Sequence, residues 1–171
     1  MALSVATWNV NSLKVRLPHL LDWLGQRAVD VVCLQETKLT DDRFPVAELQ
    51  AAGYRSIFAG QKTYNGVAIL LRDAGSAATE VQVNLPNFAD EQKRLIAVTL
   101  DGLRIVNGYF PNGQAVGSDK FEYKLNWLAA LTDWLRGELA RHEQLLLAGD
   151  FNIAPEPRDV HDPALWEGQV L

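Results

Sequence analysis

Four short stretches set carboxylate, amide and phenol side chains at the ends of apolar, β-branched runs: TWNVN (7–11), LQETK (34–38), NGYFPNG (107–113) and GDFNI (149–153). Hard divalent cations such as magnesium take carboxylate and amide oxygens, keep several waters and use only one or two protein carboxylates beside a substrate phosphate. Glu36, Asp150, Asn9 and Asn152 meet that demand. An Asp or Asn after a strand is, taken alone, ordinary cap and turn chemistry. Four such strand ends in one chain shift the reading toward a single metal-dependent phosphodiesterase site.

Phosphodiester hydrolysis needs an attacking water, neutralised phosphoryl oxygens and help for the departing alkoxide. In that scheme Glu36 holds the metal and Asp150 orients or deprotonates water. Asn152 donates its amide to the phosphate or to the aspartate, and Asn9 hydrogen-bonds within the same ligand shell. Tyr109 has three readings: a hydroxyl donor to phosphate, a nucleophile or base if a metal lowers its pKa, or an ordinary half-buried strand residue. Asn112 reads as a phosphate ligand or a turn residue, and Arg94 as a bidentate phosphate clamp or a solvated strand arginine. His19, His142 and His161 have no partner at metal-ligand spacing and read as surface residues. No G-x-S-x-G elbow, Walker loop or Rossmann glycine pattern occurs, so serine-hydrolase and nucleotide-fold chemistry lose their best support.

The elements that must position these residues follow from period and punctuation. Residues 3–10 and 29–35 read as strands around a helix that begins near Pro18, with apolar residues at Leu17, Leu20, Leu21 and Leu24. If the two strands run parallel, Asn9 and Glu36 share one pole of a sheet, where open α/β sheets place their ligands. FPVAELQAAG predicts a short helix closed by Gly53, and five strands follow, the last two joined by an Asp101-Gly102 hairpin. Over 118–142 the spacing of Phe121, Leu125, Leu128, Thr132, Leu135 and Leu139 predicts a long helix capped by Ser118. Trp127 and Trp134 flank that stripe and read as helix-to-sheet packing. QLLLAG (144–149) predicts a buried strand delivering Asp150, and the Pro-rich stretch beyond it reads as loop and short turns.

At 171 residues and 48% hydrophobic content the chain suits one ordered domain, 1–171. Its net charge of −5 argues against a nonspecific polybasic nucleic-acid binder but leaves room for a basic rim. Lys38, Arg43, Lys62, Arg72, Lys93 and Arg94 fall in or near predicted loops and strand ends that could form one. Cys33 is the single cysteine, within the apolar VVCL, so no disulfide framework exists and a reducing, cytoplasmic compartment is expected. MALSVATWNV lacks the features of a secretory leader, and no apolar run reaches bilayer-spanning length.

TWNVNSLKVRLPHLLDWL, VVCLQETK, NGVAILL, IVNGYFPNG and LLLAGDFNIAP, in this order, resemble the bacterial exonuclease III family of DNA-repair nucleases, from residue 3 to about 166. LQET and GDFN are also similar to signatures of the wider endonuclease, exonuclease and phosphatase superfamily. The resemblance implies a four-layer α/β sandwich, two packed mixed sheets with outer helices. It also implies DNA phosphodiester hydrolysis with Mg2+ or Mn2+, as a 3′-to-5′ exonuclease on duplex DNA and at abasic sites in base excision repair. By motif matching, Glu36 is a metal ligand, with Asn9, Asp150 and Asn152 in the same metal site. Tyr109 is the active-site tyrosine, Asp150 handles the proton of water or leaving group, and Asn152 is its phosphate-binding companion. Asn112, Arg94 and Asn11 fall on the substrate side, Asn112 standing where many bacterial relatives carry Gln.

The family pattern continues beyond Leu171 to an Asp-His pair with no counterpart here; His161 and Asp162 stand in the reverse order. The expectation is therefore an N-terminal portion, lacking its C-terminal strands and incomplete as a nuclease. Such a chain should expose a sheet edge and be prone to associate, whereas the full-length form should be monomeric. Two alternatives stand beside this reading: a catalytically silent DNA-binding fragment, and a superfamily phosphatase acting on small phosphoesters.

Overall fold

The computed structural model describes residues 3–73 and 77–170; Met1, Ala2, Ala74, Gly75, Ser76 and Leu171, which the 1–171 domain reading includes, lie outside the described residues. In chain order the elements are β1 (Val5–Asn9), α1 (Leu13–Gln26), β2 (Val31–Gln35), α2 (Val46–Ala51), β3 (Tyr54–Ala59), β4 (Val67–Arg72) and β5 (Thr79–Val83). They continue with β6 (Leu95–Leu100), β7 (Leu103–Tyr109), α3 (Asp119–Arg141), β8 (Gln144–Asp150) and the single turn α4 (Pro163–Trp166).

The strands form two four-stranded sheets, ordered β1-β2-β4-β3 and β5-β6-β7-β8. Each is mixed. β1 runs parallel to β2 and β7 parallel to β8, and helices α1 and α3 make the two crossovers that parallel neighbours require. Parallel strands end at the same pole, so Asn9 and Glu36 emerge together from the first sheet, and Tyr109, paired with Asp150, from the second.

Period-two alternation explains the layers. In β2, Val32 and Leu34 face outward to Leu13, Leu20 and Leu24 of α1 and Leu49 of α2. Val31 and Cys33 face inward, against Ile96, Val98 and Ile105 of the second sheet. On the far side, Trp127, Leu131 and Trp134 of α3 cover Leu95, Ala97 and Val106. The result is the expected four-layer α/β sandwich. Each fully buried aliphatic side chain contributes about 1.5–3 kcal/mol, so Ile69→Ala in the middle layer should cost about 2–5 kcal/mol. Burial in that layer pushes the Cys33 thiol up to about 12, which leaves it inert.

Several local expectations hold. Asp101 and Gly102 both take positive φ, 49° and 85°, as a two-residue hairpin turn demands. The Ser118 hydroxyl accepts from the Phe121 amide and caps α3. Gly53 closes α2 with φ 85°. Among the described residues no helix is long and apolar enough to cross a membrane.

Other expectations need correction. α1 starts at Leu13, with Pro18 inside it on the exposed side; the buried Leu13 side chain anchors a first turn that the proline cue concealed. On α3 the buried face is Lys124, Trp127, Leu131, Trp134 and Glu138, while Leu125 and Leu139 are 49% and 62% exposed. Two tryptophans outweigh the leucines in buried area, and Lys124 and Glu138 share their face because each has a partner there. β8 is half-buried because it is an outer strand of its sheet, lying close to β1, an outer strand of the first sheet. Arg72 is at the opposite pole, paired with Asp30, and belongs to no rim around the strand ends. His19 and His161 are exposed, but the His142 side chain is only 11% exposed and lies 3.7 Å from Glu138 and 3.9 Å from Glu80.

Candidate active site

The site begins with the turn after β1. Asn11 takes a left-handed conformation (φ 41°), and its amide donates to Asn9 Oδ1 at 3.0 Å. This Asx turn leaves the Asn9 side-chain nitrogen facing the sheet pole, where it donates to Glu36 Oε1 at 2.8 Å and to Asp150 Oδ2 at 2.7 Å. One amide therefore joins two carboxylates that come from different sheets. Glu36 and Asp150 share one cleft.

Glu36 also sits at positive φ, 54°, a conformation that costs a side-chain-bearing residue about 1–3 kcal/mol and persists only where neighbours over-determine it. Here they do. Ser12 N donates to Glu36 O at 2.8 Å, Leu13 N to Thr37 O at 3.0 Å, and Thr37 N to Gly66 O at 3.1 Å. Lys38 Nζ lies 2.8 Å from Glu36 Oε2 and donates to Asn11 Oδ1 at 2.6 Å. Burial works to raise the Glu36 carboxyl, but hydrogen bonds from Asn9, Lys38 and Tyr109 outweigh it and hold the group below its usual range. Tyr109 responds in the opposite sense: burial, the Glu36 charge and the bond to Glu36 push its phenol up to about 12. A phenol held protonated is a hydrogen-bond donor, the first of the three readings of Tyr109.

Asp150 reaches the site because β8 approaches β7 without side chains. A Cβ on Gly149 (φ 144°) would stand 1.9 Å from Gly108 O, so only glycine fits. Beyond Asp150 the chain turns again: Asn152 (φ 46°) donates its backbone N–H to Asp150 Oδ1 at 3.0 Å and its side-chain amide to Phe110 O at 2.9 Å. From below, the buried Lys124 ammonium donates to Asn152 O. Burial lowers the Lys124 pKa, and the Asp150 charge opposes that shift.

Arg94 lies beside Tyr109, its guanidinium 4.9 Å from the Tyr109 ring centroid and 5.7 Å from that of Tyr123. Its fork is anchored on Gln92 Oε1 at 2.7 and 3.0 Å. Arg94, Tyr109, Asn112, Lys120, Tyr123 and Tyr64 line an open cleft of ≈ 590 Å³ that begins at the site. Asn112 is exposed there, and its Oδ1 accepts from the Gln114 amide.

The structure thus brings Asn9, Glu36, Tyr109, Asp150 and Asn152 together, with Asn11 on the Lys38 side and Arg94 and Asn112 along the cleft. Sequence reasoning missed Lys124. A lone lysine at the spacing of Trp127, Leu131 and Trp134 was its only signal. No group of three His, Cys, Asp or Glu able to hold a metal occurs among the described residues. Two carboxylates among amides nonetheless suit a hard cation that keeps its waters, and two anions on one amide repel each other until a dication joins them. Asn9 presents N–H to the carboxylates, so its present geometry is that of a donor.

Two mixed sheets with outer helices, and two carboxylates that meet where both sheets end, define an α/β-sandwich protein with a cross-sheet acidic cleft. A sequence profile of the Endonuclease/Exonuclease/phosphatase family matches residues 6–168, and the chain belongs to that family. It is similar to exodeoxyribonuclease III of Haemophilus influenzae, 33% identical over 161 residues that cover 90% of this chain and 59% of that protein. It is also similar to the solved 3′-5′ exonuclease NExo of Neisseria meningitidis, 47% identical with a TM-score of 0.93, over 98% of this chain and 65% of that one. An AP endonuclease from Archaeoglobus fulgidus is 36% identical with a TM-score of 0.90, over 98% of this chain and 64% of that one. The chain therefore spans 59–65% of the length of these three relatives.

Proposed function

We propose that this chain carries a Mg2+ or Mn2+ phosphodiesterase site of the exonuclease III type, acting on duplex DNA from 3′ ends and at abasic sites in a reducing, cytoplasmic setting. The observation that carries the proposal is the Asn9 amide shared by Glu36 and Asp150. The relatives support it, being described as exonucleases and an AP endonuclease.

Glu36 and Asp150 would hold the cation, with Asn9 and Asn152 ordering them. When bound, the cation supplies charge neutralisation at the phosphoryl oxygens. Asp150, fixed through Asn9 and the Asn152 amide, accepts the proton of the attacking water and passes it to the departing alkoxide oxygen as the P–O ester bond breaks. Tyr109 donates its hydroxyl toward a phosphoryl oxygen, and Arg94 stacks its positive charge over the same ring. Asn11, Asn112 and Arg94 border the path of the flanking strand.

The test is a 3′-labelled duplex and a duplex with an abasic analogue, each incubated with the chain and Mn2+ or with a chelator. If the residues of this chain suffice for turnover despite the missing Asp-His pair, metal-dependent shortening of the first and incision of the second follow, and both vanish in Glu36→Gln. DNA binding without cleavage would instead establish the silent binding fragment. Release of phosphate from a small phosphoester in preference to DNA would establish the phosphatase.

A further inference from the structure

Two buried amides meet between the two sheets, among facing side chains that are mostly apolar. Gln35 (1% exposed) and Asn107 (0%) form this link, Gln35 Nε2 donating to Asn107 Oδ1 at 2.7 Å. The same Gln35 nitrogen reaches Thr7 Oγ1 at 3.0 Å and Cys33 O at 3.1 Å. Asn107, on β7 of the second sheet, inserts its side-chain nitrogen between two strands of the first, donating to Leu34 O at 2.9 Å and Ala68 O at 2.8 Å. Strands β1, β2, β4 and β7 are all joined through two amides.

The level at which this happens is specific. Thr7 stands two residues before Asn9, Gln35 one before Glu36, and Asn107 two before Tyr109. At about 3.3 Å per strand residue, the link lies one residue layer beneath the site. Apolar contact between sheet faces is non-directional and tolerates sliding. A buried amide does not: its protons and oxygen are satisfied in one alignment and stranded in any other.

We propose that Gln35 and Asn107 are positioning residues that fix the alignment of one sheet on the other, and so bring Asn9 and Glu36 of the first sheet against Tyr109 and Asp150 of the second. The inference rests on the reading of those four residues as one cation site. Neither amide touches the carboxylates. Both act through the strands that carry them.

The experiment measures Mn2+ affinity by calorimetry for the wild type, Asn107→Leu, Gln35→Met and Ile105→Val, the last a control that trims the same interior layer away from the link. Asn107→Leu and Gln35→Met should each weaken Mn2+ binding about tenfold or more, as loss of outer-sphere support does elsewhere. The control should bind as the wild type whatever its loss of melting temperature. A second readout needs no metal: the Asn9 side-chain amide protons, observed by NMR, should keep their hydrogen-bonded shifts in the control and move toward solvent values in Asn107→Leu. Wild-type affinity in a folded Asn107→Leu or Gln35→Met, or an equal loss in the control, overturns the proposal. So does failure of both variants to fold, which would make the pair a folding determinant. If the wild type itself binds no Mn2+, the cation reading fails, and the Asn9 resonances alone decide whether the link sets the alignment.

Discussion

Asn9 is held by its own loop on the oxygen side and offers its nitrogen to two carboxylates, and that orientation decides what each neighbour does. Glu36→Gln removes a charge while keeping shape. It should weaken Mn2+ binding strongly and leave the circular dichroism spectrum unchanged; unaltered affinity would remove Glu36 from the ligand set. Asn9, Glu36, Tyr109, Asp150 and Asn152 were legible because each ends or closely follows a recognisable strand in a short motif. The side-chain partners were not legible. Lys124 reads as a surface lysine until the face of its helix is known, and Gln35 and Asn107 read as strand polar residues until two sheets are stacked. Those facts depend on packing between segments up to 73 residues apart in sequence.

Among the elements, the existence of β1, β2 and β8 was readable from apolar runs, whereas strand direction, edges and helix faces were not. A run such as QLLLAG looks the same at the centre of a sheet and at its border. The contact between β7 and β8 gives a direct test: Gly149→Ala should destabilise the chain by about 1–3 kcal/mol from backbone conformation alone. The clash with Gly108 O adds to that, and Asp150 should withdraw from Asn9. A variant with unchanged denaturant midpoint and Mn2+ affinity would contradict the close approach. At the opposite pole Asp30 ties the start of β2 to Ser4 and Arg72. The bonds from Ser4 lead, with Arg72 adding to them, in lowering its carboxyl from 3.8 to about 2. Because the folded value is the lower one, this stabilisation is present above 3.8 and fades as pH falls toward 2. Melting temperature followed through that window should fall more steeply for the wild type than for Asp30→Asn; parallel curves would refute the assignment.

For the molecule as a whole, a cation held by both sheets would link binding to folding. At an ion concentration a hundred times its dissociation constant, a native-only ligand adds about 2.7 kcal/mol. Calorimetry with Mn2+ and with a chelator should therefore show a higher melting temperature in the first case, and no difference for Glu36→Gln. Equal melting curves for the wild type would show that no ion bridges the two layers.

That the pocket is divided between Asn9 and Glu36 on one side and Tyr109 and Asp150 on the other also orders events in time. During synthesis the first pair leaves the ribosome more than a hundred residues before Asp150. A nascent chain showing only its first sheet holds two of the four groups and nothing opposite them. The cleft thus assembles late, with the docking of a single strand, and no shorter intermediate holds all four groups.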